Sequence, residues 1–200
     1  MIPVSISAHH VHLTKEDFHA LFGANREMTK IGDLSQVGQF VCDEKVTLIG
    51  PKGRIERVRV LGPYRPDSQV EVSKTETLKL GIDAPIRASG DIKNTPSIRL
   101  EGPAGSVDLK QGVIVALRHI HMEPADGVKF NVMDKDIVSF HISGGDRPLI
   151  FEGMLVRIHR DFRLDTHIDT DEANAAGVVG KAQGEILAVL KRQEPDKKKK

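Results

Sequence analysis

Tryptophan is absent, tyrosine occurs once, and aromatic residues make up only 4% of the 200 residues. Any core must therefore rest on Val, Ile and Leu, although a chain of this length can still bury a sizeable one in one or two small domains. Cys42 is the only cysteine, which excludes an internal disulfide and a thiolate zinc cluster. An excess of one charge is lacking too, since 29 Lys and Arg against 28 Asp and Glu leave a formal +1. That balance excludes a polyanion-coating protein, and with it nucleic-acid binding by bulk charge. No apolar run approaches the roughly 20 residues needed to cross a bilayer, so no membrane partner is expected. No charged-then-apolar leader precedes Val4, and the cytoplasm is the expected compartment. The terminal Lys197 to Lys200 run reads as part of a solvated, disordered tail spanning residues 191–200.

What is present reads as β-rich. Short apolar, β-branched runs recur between Gly, Pro, Asp and Asn signals: Val46 to Ile49, Arg57 to Leu61, Gln69 to Val72, Val113 to Leu117 and Met154 to Ile158. Their length and spacing suit small barrels or sandwiches better than an α/β sheet. Gly50-Pro51-Lys52-Gly53 and Gly102-Pro103-Ala104-Gly105 read as tight turns rather than phosphate cradles. A helix is expected after the Thr14 cap, with Phe18, Leu21 and Phe22 on one face, and another after Thr170; Gly184 to Leu190 is a third, weaker helix expectation.

The chain also repeats itself. His9-His10-Val11-His12-Leu13 resembles Arg118-His119-Ile120-His121-Met122, and Lys45 to Leu48 resembles Asp136 to Phe140. Further on, Tyr64 to Glu71 aligns with His159 to His167 with one extra residue, which makes Glu71 and His167 equivalent. In a strand, residues two apart share a face, so each His-x-His presents two imidazoles side by side, a good basis for a zinc site. With nine histidines in the chain, roughly 0.4 such pairs arise by chance, so one pair alone reads as surface or hydrogen-bonded core histidines. Two pairs at matching places in a repeat favour metal. The repeat nominates Glu71 and His167 as third ligands, the alternatives being an outward carboxylate and a solvent-facing imidazole.

Two histidines and a glutamate would leave one unit of positive charge on a bound zinc, and three histidines two units. Either surplus attracts an anion, phosphate above all. Arg65, six residues before Glu71, carries the guanidinium suited to phosphate or an oxyanion; its alternative is a solvated strand-end arginine. Cys42 lies beside Asp43 and Glu44, which disfavour a thiolate nucleophile, and no nucleophile elbow or Walker loop occurs.

Four segments together resemble a known family: His10-Val11-His12-Leu13; Val60-Leu61-Gly62-Pro63-x-Arg65-Pro66-x-x-Gln69-Val70-Glu71; Ser89-Gly90-Asp91-Ile92-Lys93; and Gly112 to Met122. From about Ile2 to Leu190 the chain is similar to the PduL-type phosphate propanoyltransferases. That resemblance implies a mainly β fold of two small β-barrels from an internal duplication, capped by short α-helices. Residues 9–116 would form a central barrel, and residues 1–8 with 117–190 a second, the first strand packing with the C-terminal half. It implies two zinc ions between the barrels, one on His10, His12 and Glu71 and one on His119, His121 and His167. Arg65 would bind phosphate and act in catalysis. CoA contacts are implied at Ile6, Ser7, Ala8, Lys52, Arg59 and Asn174.

The implied reaction exchanges phosphate and coenzyme A on propanoyl or acetyl groups, as in propanediol degradation and other short-chain acyl metabolism. The implied partners are acyl-CoA and phosphate, a homodimer or higher homo-oligomer, and an acyl kinase fed with the product. Two departures stand out. His9 occupies a position where many relatives carry Arg. The sequence starts almost directly at its first expected strand, whereas members targeted to bacterial microcompartments carry an amphipathic N-terminal extension; a free cytosolic enzyme is the simpler expectation and a microcompartment enzyme the alternative. Two rival readings remain: a zinc-dependent thioester or phosphate hydrolase, and a non-catalytic CoA-binding protein with structural zinc.

Overall fold

The computed structural model describes residues 1–192. In chain order the first half holds β1 (Ile2–Ser7), β2 (His10–His12), α1 (Lys15–Phe22), β3 (Lys30–Asp33), β4 (Phe40–Ile49), β5 (Arg54–Gly62), β6 (Gln69–Glu71), α2 (Lys74–Leu80), β7 (Ile86–Arg87), β8 (Ile98–Glu101), β9 (Ser106–Leu109) and β10 (Val113–Ala116). The second half holds β11 (His119–Met122), α3 (Pro124–Phe130), β12 (Ile137–Ile142), β13 (Leu149–Ile158), β14 (Asp165–Asp169), α4 (Thr170–Ala175) and β15 (Ala182–Lys191). The fold is mainly β with short helices. The tail expected at 191–200 falls, from residue 193 on, outside the described residues, and Lys191 itself ends β15. No helix among the described residues is long and apolar enough to cross a membrane.

The chain divides into two compact units, residues 8–116 and residues 1–7 together with the chain from Leu117 onward. Ala8, expected with the latter, lies in the former. The second unit is a closed barrel ordered β1-β14-β11-β13-β12-β15, sealed by β15 pairing with β1. The first is a sheet ordered β7-β10-β6-β2-β5-β4-β8-β9, with β3 added to β4. Its central run β10-β6-β2-β5-β4-β8 repeats the barrel's sequence of parallel and antiparallel pairings strand for strand. Closure is the difference: β8 goes on to pair with β9, which leaves this unit a half-barrel.

Each unit has its own apolar core, around Val11, Phe18, Leu48 and Val60 in one and Ile120, Phe140, Val156 and Ile168 in the other. Strand alternation then fixes the histidines. Val11 and Ile120 point into the cores, so the imidazoles flanking each of them share the opposite face.

Short helices follow the key strands, each started by a local cap. Thr14 Oγ1 accepts the Asp17 amide at 3.0 Å to begin α1. Ser73 with Glu76 and Asp169 with Glu172 form reciprocal capping boxes for α2 and α4. Helices α2 and α3 were not expected from the sequence. The weak helix expectation at Gly184 to Leu190 is corrected to strand: β15 pairs along β12 and β1. The two glycine turns do join strands, and they also finish helices. Lys52 N donates to Leu80 O and Ala104 N to Leu21 O, each at 3.0 Å, satisfying last-turn carbonyls of α2 and α1. A Cβ at Gly50 or Gly102 would stand 2.3 or 2.4 Å from those same oxygens, so both glycines are required by close approach.

One irregularity is placed alike in both units. The β4–β5 and β12–β13 ladders each slip by a residue, and the extra residue takes a positive φ: +75° at Gly153 in β13 but +61° at Arg57 in β5. Glycine accepts that region freely, whereas a side chain there costs about 1–2 kcal/mol. Arg57→Gly is therefore expected to raise unfolding stability by about 0.5–1 kcal/mol, after the added chain entropy of glycine. An unchanged or lowered denaturant midpoint would count against this.

Candidate metal centres

The antiparallel β2–β6 pair sets His10 opposite Glu71 and His12 opposite Gln69. One ligand atom each from His10, His12 and Glu71 lies within 4.8 Å of the others, and all three residues are buried. His10 Nδ1 contacts Ala8 O at 2.8 Å, which turns Nε2 toward Glu71 Oε2, 3.4 Å away. Glu71 Oε1 accepts hydrogen bonds from Gln69 Nε2 at 2.6 Å and Ser89 Oγ at 2.7 Å. Gly90 N donates to Gln69 Oε1 at 2.8 Å, and Arg65 Nη1 donates to Ser89 Oγ at 3.2 Å. A connected network thus runs from Arg65 through Ser89 to the carboxylate.

The second cluster is built the same way. The β11–β14 pair sets His119 opposite His167 and His121 opposite Asp165. One nitrogen each from His119, His121 and His167 lies within 4.8 Å of the others. His119 Nδ1 contacts Leu117 O at 2.8 Å, as His10 does Ala8. The Phe162 ring packs on His121 with centroids 4.3 Å apart, closing one side of the cluster.

The electrostatics favour ligand-competent forms. Burial, with the charges of His10 and Arg65, holds His12 well below the usual imidazole range. Burial and the neighbouring His119, His167 and Arg157 bring His121 down to about 2. For Glu71, burial opposes ionisation, but His10, His12 and Ser89 outweigh it and hold the carboxyl far below its ordinary value. For His10, burial opposes the charged form and is outweighed by Glu71 and the Ala8 carbonyl, so its pKa rises. Metal binding needs neutral imidazoles and an ionised carboxylate; the shifts of His12, His121 and Glu71 run toward those forms, and the shift of His10 runs the other way.

The donor sets fit a metal by a further observation. Nδ1 of His121 and Nε2 of His167 are buried without a hydrogen-bond partner. Desolvated polar nitrogens of this kind are costly unless something else meets them. His167 Nε2 is 3.2 Å from Asp165 Oδ2 but is not aligned with it as a hydrogen bond.

A matching pair of braces lies beside the clusters. His9 Nδ1 contacts Glu76 Oε1, and Arg118 Nη1 donates to Glu172 Oε1 at 2.7 Å. Both glutamates also close the capping boxes of α2 and α4. Each brace ties the residue just before a His-x-His to the helix that follows the third-ligand strand. His9 thus does in one unit what Arg118 does in the other.

The remaining expected site residues are more dispersed. Arg65 N donates to Leu13 O at 2.9 Å, which holds its backbone near the first histidine strand. Ile6 and Ser7 lie in β1 opposite Ile168 and Asp169, and Asn174 is exposed on α4. Ala8 lends its carbonyl to His10, and Lys52 sits in the β4–β5 turn. Arg59 Nη1 already donates to the Cys42 and Asp43 carbonyls, at 3.0 and 3.2 Å. The six expected CoA residues therefore divide equally between the units. Cys42 is fully buried, and burial, then Glu44, pushes its thiol up to about 11.

Sequence reasoning missed Ser89, Gln69 and Asp165 as members of the clusters' surroundings. The repeat alignment contained a signal for the last two, since it makes Gln69 and Asp165 equivalent, each two residues before a candidate third ligand.

A duplicated β fold with a three-donor cluster in each half, buried but for the half-buried His167, offers two candidate sites of the kind that metal-assisted transferases and hydrolases use. The family model for phosphate propanoyltransferase matches residues 3–179. A protein of that name from Thermotoga maritima is 51% identical over 175 residues, covering 88% of this chain and 83% of its own. Its namesake from Citrobacter koseri is 52% identical over 176 residues, with the same coverage of 88% and 83%. That from Clostridioides difficile is 47% identical over 191 residues, covering 96% and 90%. The chain belongs to the phosphate propanoyltransferase family, and so to the acyltransferase enzymes.

Proposed function

We propose that the chain interconverts propanoyl-CoA and phosphate with propanoyl phosphate and CoA. One zinc ion would be held by His10, His12 and Glu71, and one by His119, His121 and His167. The observation that carries this reading is the recurrence of a three-donor cluster at the same register in both halves of a family member. Bound zinc supplies positive charge that attracts phosphate and favours its deprotonated form.

The chain's own groups do the rest. A phosphate oxygen adds to the thioester carbonyl carbon; the tetrahedral adduct collapses as the C–S bond breaks, and the CoA sulfur leaves as thiolate and takes up a proton. Arg65 binds phosphate and donates to the oxyanion of that adduct, an effect often worth about 3 kcal/mol for one donor. Ser89 fixes the guanidinium while donating to Glu71, so the anion-binding group and the first cluster are positioned together. Direct transfer without an acyl-enzyme agrees with a Cys42 that is buried and protonated. CoA contacts are assigned to Ile6, Ser7, Ala8, Lys52, Arg59 and Asn174. Acetyl-CoA is a second substrate, since one methylene is worth only about 1–3 kcal/mol in a pocket. The acyl phosphate formed is the substrate class of an acyl kinase.

The test is thiol release from propanoyl-CoA and acetyl-CoA, with and without phosphate, on metal-quantified protein. Release is expected only with phosphate, from chains holding two zinc ions. Release independent of phosphate would make the protein a hydrolase. Zinc-free protein whose fold ignores chelators would make the histidines structural.

A further inference from the structure

Each histidine strand faces a strand with two polar residues two positions apart, Gln69 and Glu71 in β6 and Asp165 and His167 in β14. The registers are equivalent, but the carboxylate changes place. In the first unit it stands opposite the leading histidine, His10, with the neutral amide of Gln69 opposite His12. In the second unit the imidazole of His167 stands opposite the leading histidine, His119, and the carboxylate of Asp165 stands opposite His121. Both clusters therefore have one acid in the same pair of positions, although only the first counts it among its three close donors.

Asp165 is held for such a part. It is 2% exposed, with Oδ2 3.2 Å from His167 Nε2. Ser5 Oγ, in register with His167 across the β1–β14 pair, lies 3.0 and 2.9 Å from its two oxygens and donates to them. A carboxylate taken out of water is stabilised by nearby positive charge, and groups just outside a metal's ligands contribute to how tightly it is held. We infer that Asp165 is the charge-compensating carboxylate of the second metal cluster, supplying beside His119, His121 and His167 the negative charge that Glu71 supplies beside His10 and His12. This rests on the zinc reading above. It changes the charge count: a zinc on three neutral histidines carries two units of positive charge, and Asp165 reduces the second site to one unit, the same as the first.

Zinc competition against a chromogenic chelator, on the full chain, tests the inference without reference to turnover. Wild type is expected to show two binding steps. Asp165→Asn should weaken one step by about 10–100-fold and leave the other unchanged. The double variant D165Q/H167E writes the Gln69–Glu71 order into β14 and should recover most of that loss, which a merely structural role for Asp165 would not allow. D165N with both steps at wild-type strength would overturn the inference and leave the zinc reading standing. A folded D165Q/H167E chain that has lost one step would overturn it too, and this variant decides the matter should D165N fail to fold. Wild-type protein that binds no zinc would remove both readings.

Discussion

Glu71→Gln is expected to cut zinc content from two ions per chain to one and to lower phosphate-dependent thiol release by about a thousandfold. That exceeds the 10–100-fold typical of residues that only support a ligand, because the change removes a ligand's charge. The argument rests on what surrounds the carboxylate. It sits in register with His10, 3.4 Å from Nε2, in a buried site whose other donors are the imidazoles of His10 and His12. A glutamine is nearly isosteric, and its carbonyl can still accept from Gln69 and Ser89. The loss is therefore one of charge rather than shape, and the folded state should lose no more than about 1–3 kcal/mol. Metal quantification and the thiol assay on one preparation check this. Two zinc ions retained, with turnover within a few-fold of wild type, would remove Glu71 from the metal site.

The metal-free chain adds a pH signature to the same change. The folded-state pKa of Glu71 is depressed, so the unfolded chain binds a proton that the folded chain refuses. Its contribution to stability is present above the unfolded value of 4.5 and is lost as pH falls below it. Glu71→Gln should flatten that part of the acid limb of metal-free protein.

Much of this site could be read from the chain because strands obey a period of two. His-x-His needs only that rule to share a face, and the repeat then pointed to Glu71 and His167, which the registers bring opposite His10 and His119. Features that depend on residues distant in sequence were not legible. Ser89 reaches Glu71 across 18 residues, through a loop whose path no local pattern encodes. Helices α2 and α3 have seven residues each, two turns at most, too few for periodicity to show. Only the Ser73-x-x-Glu76 cap and Pro124 at the first position of α3 announced them. The opposite error at β15 has a cause of its own. Its register slips twice against β12, so apolar residues fall on both faces and Leu187 and Leu190 stay about half exposed. The resulting Ile-Leu and Val-Leu doublets imitate a helical stripe.

Arg65→Ala should leave both zinc ions in place and still lower turnover by about 10²–10³-fold, the effect of deleting one preorganised oxyanion donor. The separation from Glu71→Gln follows from geometry. Arg65 is hydrogen-bonded to the first cluster through Ser89, which accepts from its Nη1 and donates to Glu71. Losing the guanidinium leaves the Ser89–Glu71 bond intact and removes a positive charge that disfavours protonation of His10 and His12. Both imidazoles should then take up protons slightly more readily, a small cost to zinc affinity at neutral pH. The large cost falls on the anion: phosphate loses a fork of donors that matches two of its oxygens, and the tetrahedral adduct loses its counter-charge. Arg65→Lys should recover little, because an ammonium supplies the charge without the fork. Both KM for phosphate and kcat should move, and kcat more, since the oxyanion exists only after attack. Near-normal turnover of Arg65→Ala at saturating phosphate would confine Arg65 to ground-state phosphate binding and transfer the oxyanion role to another group.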